Sequence, residues 1–314
     1  MKVLVTGANG LIGSALCSVL DDSEHQVIRA VRIATTLREI SVGELNENTC
    51  WNEALSAGVD TVVHLAGKVP PTNSDIGNPA NQYHQINTLG TINLARQCIQ
   101  HGVKRFIFIS TIKVLGEGKN KPYRIDDLAS PADAYAISKW EAEQALWQIA
   151  AETEMEMIVL RPPLVYGPGV KGNFLRLLQA IDNRRPLPFG AIRNRRSLIC
   201  LGNLIDIIQL CLTHPHAANK TYLVSDGDDV STPELIRRVA DALGRKPFLV
   251  PVPVSWIRWA GTILGRQAAV DRLLSSLTVD ITPLQAELGW HPPYTMQTGL
   301  AATAQWYRET RTNR

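Results

Sequence analysis

The sequence of 314 residues is poor in cysteine, in net charge and in long apolar runs. Five cysteines without a Cys-x-x-Cys pair argue against a disulfide scaffold or a zinc knuckle and favour a reducing compartment. Lys and Arg number 32 against 29 Asp and Glu, and a net charge of +3 gives no electrostatic reason to expect a nucleic-acid partner. No apolar run reaches the ~18 residues of a membrane span, and glycines interrupt the apolar N-terminus where a signal peptide would continue. We therefore expect a cytoplasmic protein with no membrane span.

Several catalytic motifs are also missing. Neither Gly-x-Ser-x-Gly nor His-Glu-x-x-His occurs, so the serine-hydrolase and zinc-protease classes lack their motifs. His214-Pro-His216 has no third ligand in its pattern and predicts a surface turn, so we expect no metal. Residues 193–196 hold three arginines but no aromatic side chain, which is meagre for nucleic-acid binding.

In the first half of the chain, short apolar segments alternate with longer segments of helical period. The pattern predicts strands over 2–5, 26–31, 61–65, 105–110 and 157–160, with helices over 11–20, 50–57, 83–101 and 134–153 between them. Apolar strands separated by helices are typical of a parallel sheet that is covered on both faces. The predicted fold class is therefore α/β, a doubly wound parallel sheet of the Rossmann type.

After about residue 161 the sequence becomes rich in proline and glycine, as loops are. Helices are predicted over 174–182, 232–243 and 283–288, and strands at 198–200 and 222–224 could return to the sheet. We therefore predict a sheet domain over 1–165 and a smaller C-terminal substrate-binding region over 166–314.

A glycine triplet follows the first predicted strand and opens the first predicted helix. Gly7 permits a sharp turn, Gly10 lets backbone amides approach a pyrophosphate, and Gly13 lets the helix pack on the strand. The N-terminus of the helix adds N–H groups and a positive partial charge. The first domain is thus predicted to bind a dinucleotide.

The end of the second predicted strand bears on which nicotinamide cofactor binds. An acidic residue there would accept the ribose hydroxyls of NAD, whereas an arginine would accommodate the 2′-phosphate of NADP. The sequence offers Arg29 and Arg32 and no carboxylate at this place. Because the guanidinium fork suits phosphate oxygens, NADP(H) is favoured, with Arg32 as main contact, and NAD(H) stays open.

Tyr135 and Lys139 stand one helical turn apart, so both side chains lie on one face of the predicted helix. An ammonium beside a phenol stabilises the phenolate and lowers a tyrosine pKa that starts near ~10. Ser110 and Thr111 follow the fourth predicted strand, where a hydroxyl could hold a reacting oxygen for Tyr135. Asn87 is a polar residue inside a helix pattern and reads equally well as a solvated side chain.

Five motifs follow one another along the chain. They are Thr-Gly-x-x-Gly-x-x-Gly at 6–13, Asp-x-Val-x-His-Leu-Ala at 60–66, Asn-x-x-Gly-Thr-x-Asn-Leu at 87–94, Tyr-x-x-x-Lys at 135–139 and Arg-Pro-x-x-Val-Tyr-Gly-Pro at 161–168. This series resembles the extended short-chain dehydrogenase/reductase family, specifically its nucleotide-sugar 4-epimerase, dehydratase and reductase branch. The resemblance covers nearly the whole chain.

The resemblance implies a role for each matching position. Tyr135 would be the acid/base, Lys139 would hold the nicotinamide ribose, and Thr111 would orient the sugar oxygen. Asn87 would belong to the proton-relay scaffold. The cofactor-binding positions implied by the loop and the motifs are Gly7, Asn9, Gly10, Leu11, Ile12, Gly13, Arg29, Arg32, Glu44, Leu45, Leu65, Ala66, Gly67, Ser110, Tyr135, Lys139 and Pro162. Those implied for the substrate are Thr111, Asn173, Arg196 and Arg272.

The predicted function is an oxidoreductase acting at C4 of a nucleotide-linked hexose, reducing a UDP- or dTDP-4-keto-6-deoxy sugar with NADPH. The alternative is a UDP-hexose 4-epimerase that retains NAD. A dehydratase is disfavoured because Ile112-Lys113 stand where dehydratases of this branch have Asp-Glu. A non-catalytic NADP(H)-binding sensor is a further alternative, against which the complete set of candidate catalytic residues argues. Apolar residues on more than one face of the helices at 83–101 and 134–153 favour a homodimer.

Overall fold

The computed structural model describes residues 1–70, 79–119 and 121–312. Its strands are β1 (Lys2–Thr6), β2 (Gln26–Val31), β3 (Glu39–Ser41), β4 (Thr61–His64), β5 (Arg105–Ile109), β6 (Glu156–Arg161), β7 (Leu164–Tyr166), β8 (Leu198–Cys200) and β9 (Lys220–Leu223). Seven of them form one parallel sheet in the order β3-β2-β1-β4-β5-β6-β9, and β7 and β8 form a second, two-stranded parallel sheet. This arrangement confirms the predicted α/β fold class. The three-residue strand β3 was not predicted, because so short a segment carries no periodic signal.

Twelve α-helices surround the sheets within the described residues. They are α1 (Leu11–Asp21), α2 (Asn52–Leu55), α3 (Pro79–Tyr83), α4 (Gly90–Gln100), α5 (Ala134–Ala151), α6 (Gly172–Asp182), α7 (Leu201–Thr213), α8 (Thr232–Leu243), α9 (Val254–Ile263), α10 (Gln267–Leu274), α11 (Thr282–Leu288) and α12 (Met296–Thr312). A π-helical segment, His84–Leu89, joins α3 to α4, and a 3-10 segment, Ile112–Leu115, follows β5. The sequence patterns did not predict α7, α9, α10 or α12.

Alternate residues of the central strands face opposite sides of the sheet. In β1, Val3 and Val5 join the cluster that packs against α1 and α7, whereas Leu4 joins the cluster under α4 and α5. In β5, Phe106 and Phe108 lie on the second side. Both faces are buried, and this explains why the strands are apolar throughout.

The strand order reverses between β1 and β4. From β1 the chain adds β2 and β3 on one side, then returns to place β4 on the other, so that Thr6 pairs with His64. In open parallel sheets the crevice at such a reversal, at the carboxyl ends of the strands, is where ligands bind. The glycine triplet, the residues after β4 and the residues after β5 all end at this edge.

The second half of the chain contributes to the sheet as well as to a separate core. β9 pairs with β6 at the sheet edge, whereas β8 pairs with β7. Residues of α6, α8 and α12 form a third apolar cluster against that small sheet. Within the described residues, no helix is both long and apolar enough to span a membrane.

Candidate active site

The glycine triplet forms a tight junction between β1 and α1. Gly7 has a φ of +64°, and a Cβ on it would lie 2.9 Å from Ala66 Cα. A Cβ on Gly13 would collide with the carbonyl oxygen of Gly7. Among the described residues, no side chain caps the first turn of α1 at Gly10. The N–H groups of this turn are therefore available to an anion, as a pyrophosphate site requires.

A buried hydrogen-bond chain links this junction to the neighbouring strand. The hydroxyl oxygen of Thr6 accepts the N–H groups of Leu65 and Ala66, each at 3.1 Å, and lies 2.7 Å from His64 Nδ1. His64 Nε2 lies 2.9 Å from the hydroxyl of Thr91, which donates to the carbonyl of Asn87 at 2.7 Å. Burial lowers the pKa of His64 to about 3, so the ring is neutral. Thr6 therefore donates to Nδ1 and the Nε2–H donates to Thr91, which satisfies every group in the chain.

Asn87 lies in the π-helical segment and is 1% exposed, so the solvated reading of this residue is wrong. Its amide nitrogen donates to the Lys68 carbonyl and to Ser138 Oγ, both at 3.0 Å, and its oxygen accepts the Lys68 N–H at 2.7 Å. A Cβ on Gly67 would lie 2.9 Å from the Asn87 oxygen. The π-helical turn therefore holds the loop after β4 against α5, the helix that carries Tyr135.

The segment after β5 holds two hydroxyl groups. Ser110 Oγ is buried and has no hydrogen-bond partner among the described residues, while Thr111 caps the 3-10 segment by accepting the Lys113 N–H at 3.3 Å. The N–H of Ile112 donates to the carbonyl of Pro162 at 3.0 Å, which joins this segment to the end of β6. A buried hydroxyl without a partner is expensive unless a ligand completes it.

Tyr135 lies near the start of α5, with its phenol facing Thr111. The ring of Tyr83 lies edge-on to it, with the ring centres 6.0 Å apart. Burial, Asp133 and Tyr83 raise the pKa of Tyr135, and the Thr111 hydroxyl only partly opposes them. The sequence predicted a pKa lowered by Lys139; in the structure burial dominates, and the phenol is protonated at neutral pH.

Lys139 is 6% exposed and lies one turn after Tyr135 on α5. Its ammonium lies 4.1 Å from the centre of the Phe108 ring. Burial lowers the pKa of Lys139 to about 7, with Glu143 opposing the shift. An ammonium can donate three hydrogen bonds, and neither the contact with the Phe108 ring nor the charge of Glu143 replaces them. The Lys139 ammonium can therefore donate to a ligand hydroxyl.

A buried ion pair that the sequence did not reveal fixes the same face of α5 further along the helix. Arg161 Nη2 lies 2.5 Å from Glu143 Oε2, with these side chains 7% and 0% exposed. Arg161 ends β6, and Glu143 lies one turn after Lys139. The pair therefore joins the last strand residue to the helix that carries the tyrosine and the lysine. The motif at 161–168 contained the arginine but not its partner.

The two arginines of the second strand are both engaged by carboxylates. Arg29 forms an ion pair with Asp21 and lies within β2, two residues before its end. The structure thus directs Arg29 to Asp21 and not to the carboxyl edge. Arg32 lies just past β2, with Nη1 3.2 Å from Glu44 Oε1, and both side chains are about two-thirds exposed. Of the two, only Arg32 occupies the edge at which the adenine end of a dinucleotide would lie.

The candidate substrate residues come from the second half of the chain. Arg196 Nη1 donates to the carbonyls of Arg272 and Ser275, at 2.7 and 3.1 Å. Burial lowers the pKa of Arg196, and Glu117 opposes the shift. The described hydrogen bonds of the guanidinium use Nη1 alone. Asn173 is exposed in the first turn of α6.

Lys113 links the charged groups around Arg196 to the start of α5. Its ammonium lies 3.0 Å from Glu117 Oε1 and 2.8 Å from Asp133 Oδ2. Asp133 caps α5 by accepting the N–H of Ala136. Burial would raise the pKa of Asp133, but the hydrogen bonds from Lys113 and Ala136, with a smaller contribution from the charge of Arg272, lower it. The cluster therefore connects the candidate substrate arginines to Asp133, the residue that precedes α5. Sequence reasoning missed it, because its members belong to four separate segments.

Other predicted cofactor positions follow the ends of the strands or pack beside them. Leu65, Ala66 and Gly67 follow β4, Ser110 follows β5, and Leu45 packs against the cluster under α4. The uncapped turn at Gly10, the unpartnered Ser110 hydroxyl and the buried Lys139 ammonium all fit a dinucleotide at this edge. Across residues 1–70, 79–119 and 121–312, no group of three or more His, Cys, Asp or Glu could hold a metal.

Comparisons with known proteins agree with this geometry. Residues 3–225 match the model of the NAD dependent epimerase/dehydratase family. A UDP-glucose 4-epimerase of Vibrio cholerae is 43% identical over 311 residues, covering 97% of this chain and 94% of that protein. An N-acetyl-alpha-D-glucosaminyl-diphospho-ditrans,octacis-undecaprenol 4-epimerase of Escherichia coli O157:H7 is 28% identical over 320 residues, covering 97% and 95%.

Among solved structures, MoeE5 in complex with UDP-glucose and NAD superimposes with a TM-score of 0.80 at 27% identity. The match covers 99% of this chain and 100% of that chain. The resemblance inferred from five motifs is thereby confirmed. The chain belongs to the NAD-dependent epimerase/dehydratase family.

Proposed function

We propose that this protein is a nucleotide-sugar 4-epimerase that acts on a UDP-hexose with NAD(H). The observation that carries the proposal is the arrangement of three side chains at the carboxyl edge of the sheet: the Tyr135 phenol faces the Thr111 hydroxyl, and the buried Lys139 lies one helical turn further along α5. A phenol and a hydroxyl that meet at one point can bind the same substrate oxygen. That is the geometry needed to move a proton to or from a C4 hydroxyl.

Each chain residue has a distinct task in this scheme. Thr111 holds the C4 oxygen of the sugar, and Tyr135, in its phenolate form, takes the proton of that oxygen and later returns it. Lys139 donates to the ribose hydroxyls and places positive charge beside the phenol, which favours the phenolate form. Bound NAD supplies a reversible hydride acceptor for C4. Asn87 fixes the backbone of Lys68, in the segment after β4 that borders the site, but does not touch the reacting atoms.

The cofactor would be held by three parts of the chain. The N–H groups of the first turn of α1 bind the pyrophosphate, Ser110 donates its unpartnered hydroxyl, and Lys139 binds the ribose next to the nicotinamide. The substrate diphosphate extends to Arg196, whose guanidinium supplies charge-assisted hydrogen bonds.

Of the two functions that the sequence suggested, epimerisation has the better support. Both named relatives above are 4-epimerases, one of them at 43% identity over nearly the whole chain. The reduction of a 4-keto-6-deoxy sugar was favoured on the strength of Arg29 and Arg32 alone. Since the structure pairs both arginines with carboxylates, they no longer favour the NADPH-dependent reductase over the epimerase.

The same pairs bear on the choice between NAD(H) and NADP(H). Glu44 lies 3.2 Å from Arg32, so a 2′-phosphate bound to Arg32 would face a carboxylate of like charge. A ribose hydroxyl could instead donate to Glu44. We therefore propose NAD(H), with NADP(H) as the alternative. Titration with NAD⁺ and NADP⁺ decides between them, and tighter binding of NADP⁺ that is lost in Arg32→Ala would contradict our choice.

Three further features complete the proposal. UDP is preferred to dTDP because the named nucleotide-sugar relative and the MoeE5 complex carry UDP-sugars. All five cysteines are free, which supports a cytoplasmic site of action. A homodimer through α4 and α5 remains our proposal, supported by Ile137, which is 42% exposed on α5.

The deciding experiment uses the purified protein without added cofactor. UDP-glucose is incubated with it and UDP-galactose is measured by chromatography, with Tyr135→Phe as control. We expect interconversion by the wild type and a loss of about 10²–10⁴-fold in the variant. Wild-type protein that interconverts nothing but oxidises NADPH with a UDP- or dTDP-4-keto-6-deoxyhexose would establish the reductase instead. Bound NADP(H) without any turnover would establish the sensor.

A lipid-linked sugar diphosphate is the second candidate substrate. The E. coli relative acts, by its name, on a sugar joined through a diphosphate to undecaprenol. In this chain, no residue of α10 is buried, and the carbonyl of Arg272 near the end of α10 accepts a hydrogen bond from Arg196. A lipid leaving the diphosphate would meet this surface. Conversion of an undecaprenyl-diphospho-sugar in preference to UDP-sugars would establish this candidate.

A further inference from the structure

Two helices near the substrate residues expose an apolar face. On α9, Trp256, Trp259 and Ile263 are 68%, 69% and 63% exposed, and Leu264, which follows the helix, is 69% exposed. Positions i, i+3 and i+7 lie on one side of a helix, so the two indoles and the isoleucine form a single stripe. Exposed apolar side chains that occur singly need no explanation, but a contiguous stripe with two tryptophans indicates a binding surface.

The helices α9 and α10 form a hairpin that stands away from the protein cores. The two helices pack on each other where Gly261 approaches Val270 so closely that a Cβ would lie 2.6 Å from Val270 Cγ2. Gly261 is the one buried residue of α9, and no residue of α10, all of which are described, is buried. Residues 1–70, 79–119 and 121–312 therefore leave the stripe uncovered.

The charge around the hairpin is mainly positive. Residues 242–274 contain the cations Arg245, Lys246, Arg258, Arg266 and Arg272 against one carboxylate, Asp271. Arg245 pairs with Asp182, and Arg258 and Arg266 are exposed on the hairpin itself. A second copy of the chain related by two-fold symmetry would bring two surfaces of net positive charge together. An anionic partner is therefore favoured over self-association.

We propose that the α9–α10 hairpin docks the protein on the surface of an anionic lipid bilayer. Indole rings have an apolar body and a polar N–H, which suits the boundary between headgroups and acyl chains. Apolar residues on one side of a helix, with arginine among the polar residues, characterise helices that lie in the membrane interface without crossing it. This inference does not depend on whether the substrate is a UDP-sugar or a lipid-linked sugar.

The hairpin also lies next to the substrate site. The carbonyls of Arg272 and Ser275, at the end of α10, accept the guanidinium of Arg196. The amide of Asn194 donates to the carbonyl of Leu273 at 2.9 Å. Docking through α9 and α10 would therefore place the diphosphate end of the site close to the bilayer, where lipid-bound sugars are used or made.

Vesicle flotation with the full-length protein tests the proposal. Vesicles of phosphatidylcholine with roughly 30 mol% phosphatidylglycerol are compared with pure phosphatidylcholine. The double variant Trp256→Ser/Trp259→Ser is compared with Leu37→Ser/Leu128→Ser, which removes exposed apolar side chains elsewhere. We expect the wild type and the leucine variant to bind anionic vesicles, and the tryptophan variant to bind at least about tenfold more weakly. High salt should weaken wild-type binding.

Other outcomes overturn the proposal. Wild-type protein that stays off anionic vesicles, or a tryptophan variant that binds them as well as wild type, refutes bilayer docking. A fall in molar mass of the tryptophan variant by light scattering, without vesicle binding by the wild type, assigns the surface to a second copy. Sugar epimerisation in solution, measured on the same samples, should be unchanged in the tryptophan variant. A lack of epimerase activity in the wild type would contradict the proposed function, whereas a lack of vesicle binding would contradict only the docking proposal.

Discussion

The amide nitrogen of Asn87 donates to Ser138 Oγ at 3.0 Å across the buried boundary between the π-helical segment and α5. Ser138 precedes Lys139 and in turn donates to the carbonyl of Tyr135 at 2.8 Å. Through Ser138, the side chain of Asn87 is therefore connected to the backbone of both Tyr135, the proposed acid/base residue, and Lys139. With the bonds of Asn87 to Lys68, it makes one side chain the junction between the loop after β4 and the catalytic helix.

Replacing Asn87 by aspartate should loosen this junction. The carboxylate keeps the acceptor for the Lys68 N–H but loses both donated bonds, and it then faces the Lys68 carbonyl. We expect the free energy of unfolding to fall by about 1–3 kcal/mol and kcat to fall as well. Urea unfolding and the epimerase assay measure the two effects.

Asn93→Asp is the matched control for Asn87→Asp. Asn93 lies on α4 and also donates twice to backbone carbonyls, those of Asn46 and Thr49, away from Tyr135. It should cost similar stability and leave kcat near the wild-type value. Equal losses of kcat in the two variants would mean that Asn87 acts through stability alone.

Lys139 should give the cofactor-free protein a characteristic pH dependence. Its pKa is about 7 in the folded state and 10.5 in the reference state, so between these values the unfolded chain binds more protons. Unfolding free energy therefore rises with pH across this window, by up to about 1.4 kcal/mol per pH unit from this group. Below pH 7 the full cost of the buried charge is present.

The Lys139→Met variant removes this contribution. Urea unfolding from pH 7 to pH 10 should show a smaller rise with pH in Lys139→Met than in the wild type. Lys220→Met, at a half-exposed lysine on β9, should follow the wild type. Parallel curves for Lys139→Met and the wild type would show that the ammonium is not desolvated.

Arg196 should govern substrate affinity more than turnover. Its guanidinium is desolvated and anchored through Nη1, so removing it costs charge-assisted hydrogen bonds to the diphosphate. We expect Arg196→Met to raise the KM for the UDP-sugar by roughly 10–100-fold with little change in NAD affinity. Arg195→Met, at a neighbouring side chain that is 71% exposed, is the control and should change KM little. A KM for Arg196→Met within twofold of this control would remove Arg196 from the substrate site.

Asp133 should set the pH dependence of the reaction. Its charge is one of the causes that raise the pKa of Tyr135. Asn in its place removes that charge and can still cap α5. The pKa of Tyr135 then falls, so the limb of the pH profile of kcat/KM that reports phenolate formation should move to lower pH. Asp126→Asn, at an exposed carboxylate, should leave the profile unchanged. A shift to higher pH would contradict the assignment of that limb to Tyr135.

The sequence by itself determined the fold class and the place in that fold of the main candidate site residues. Both rest on local signals, since strands buried on two faces must be apolar throughout, and the triplet at Gly7, Gly10 and Gly13 serves a junction only thirteen residues from the start. The spacing of Tyr135 and Lys139 likewise requires nothing but one helical turn.

Only the tertiary structure decided how those residues behave. The direction of the Tyr135 pKa depends on burial and on Asp133 and Tyr83, and the fate of Arg29 and Arg32 depends on Asp21 and Glu44. The Glu143–Arg161 pair and the exposed stripe on α9 likewise arise from which segments meet. Desolvation and charge pairing are set by distances between residues far apart in the chain, and a linear pattern does not contain those distances.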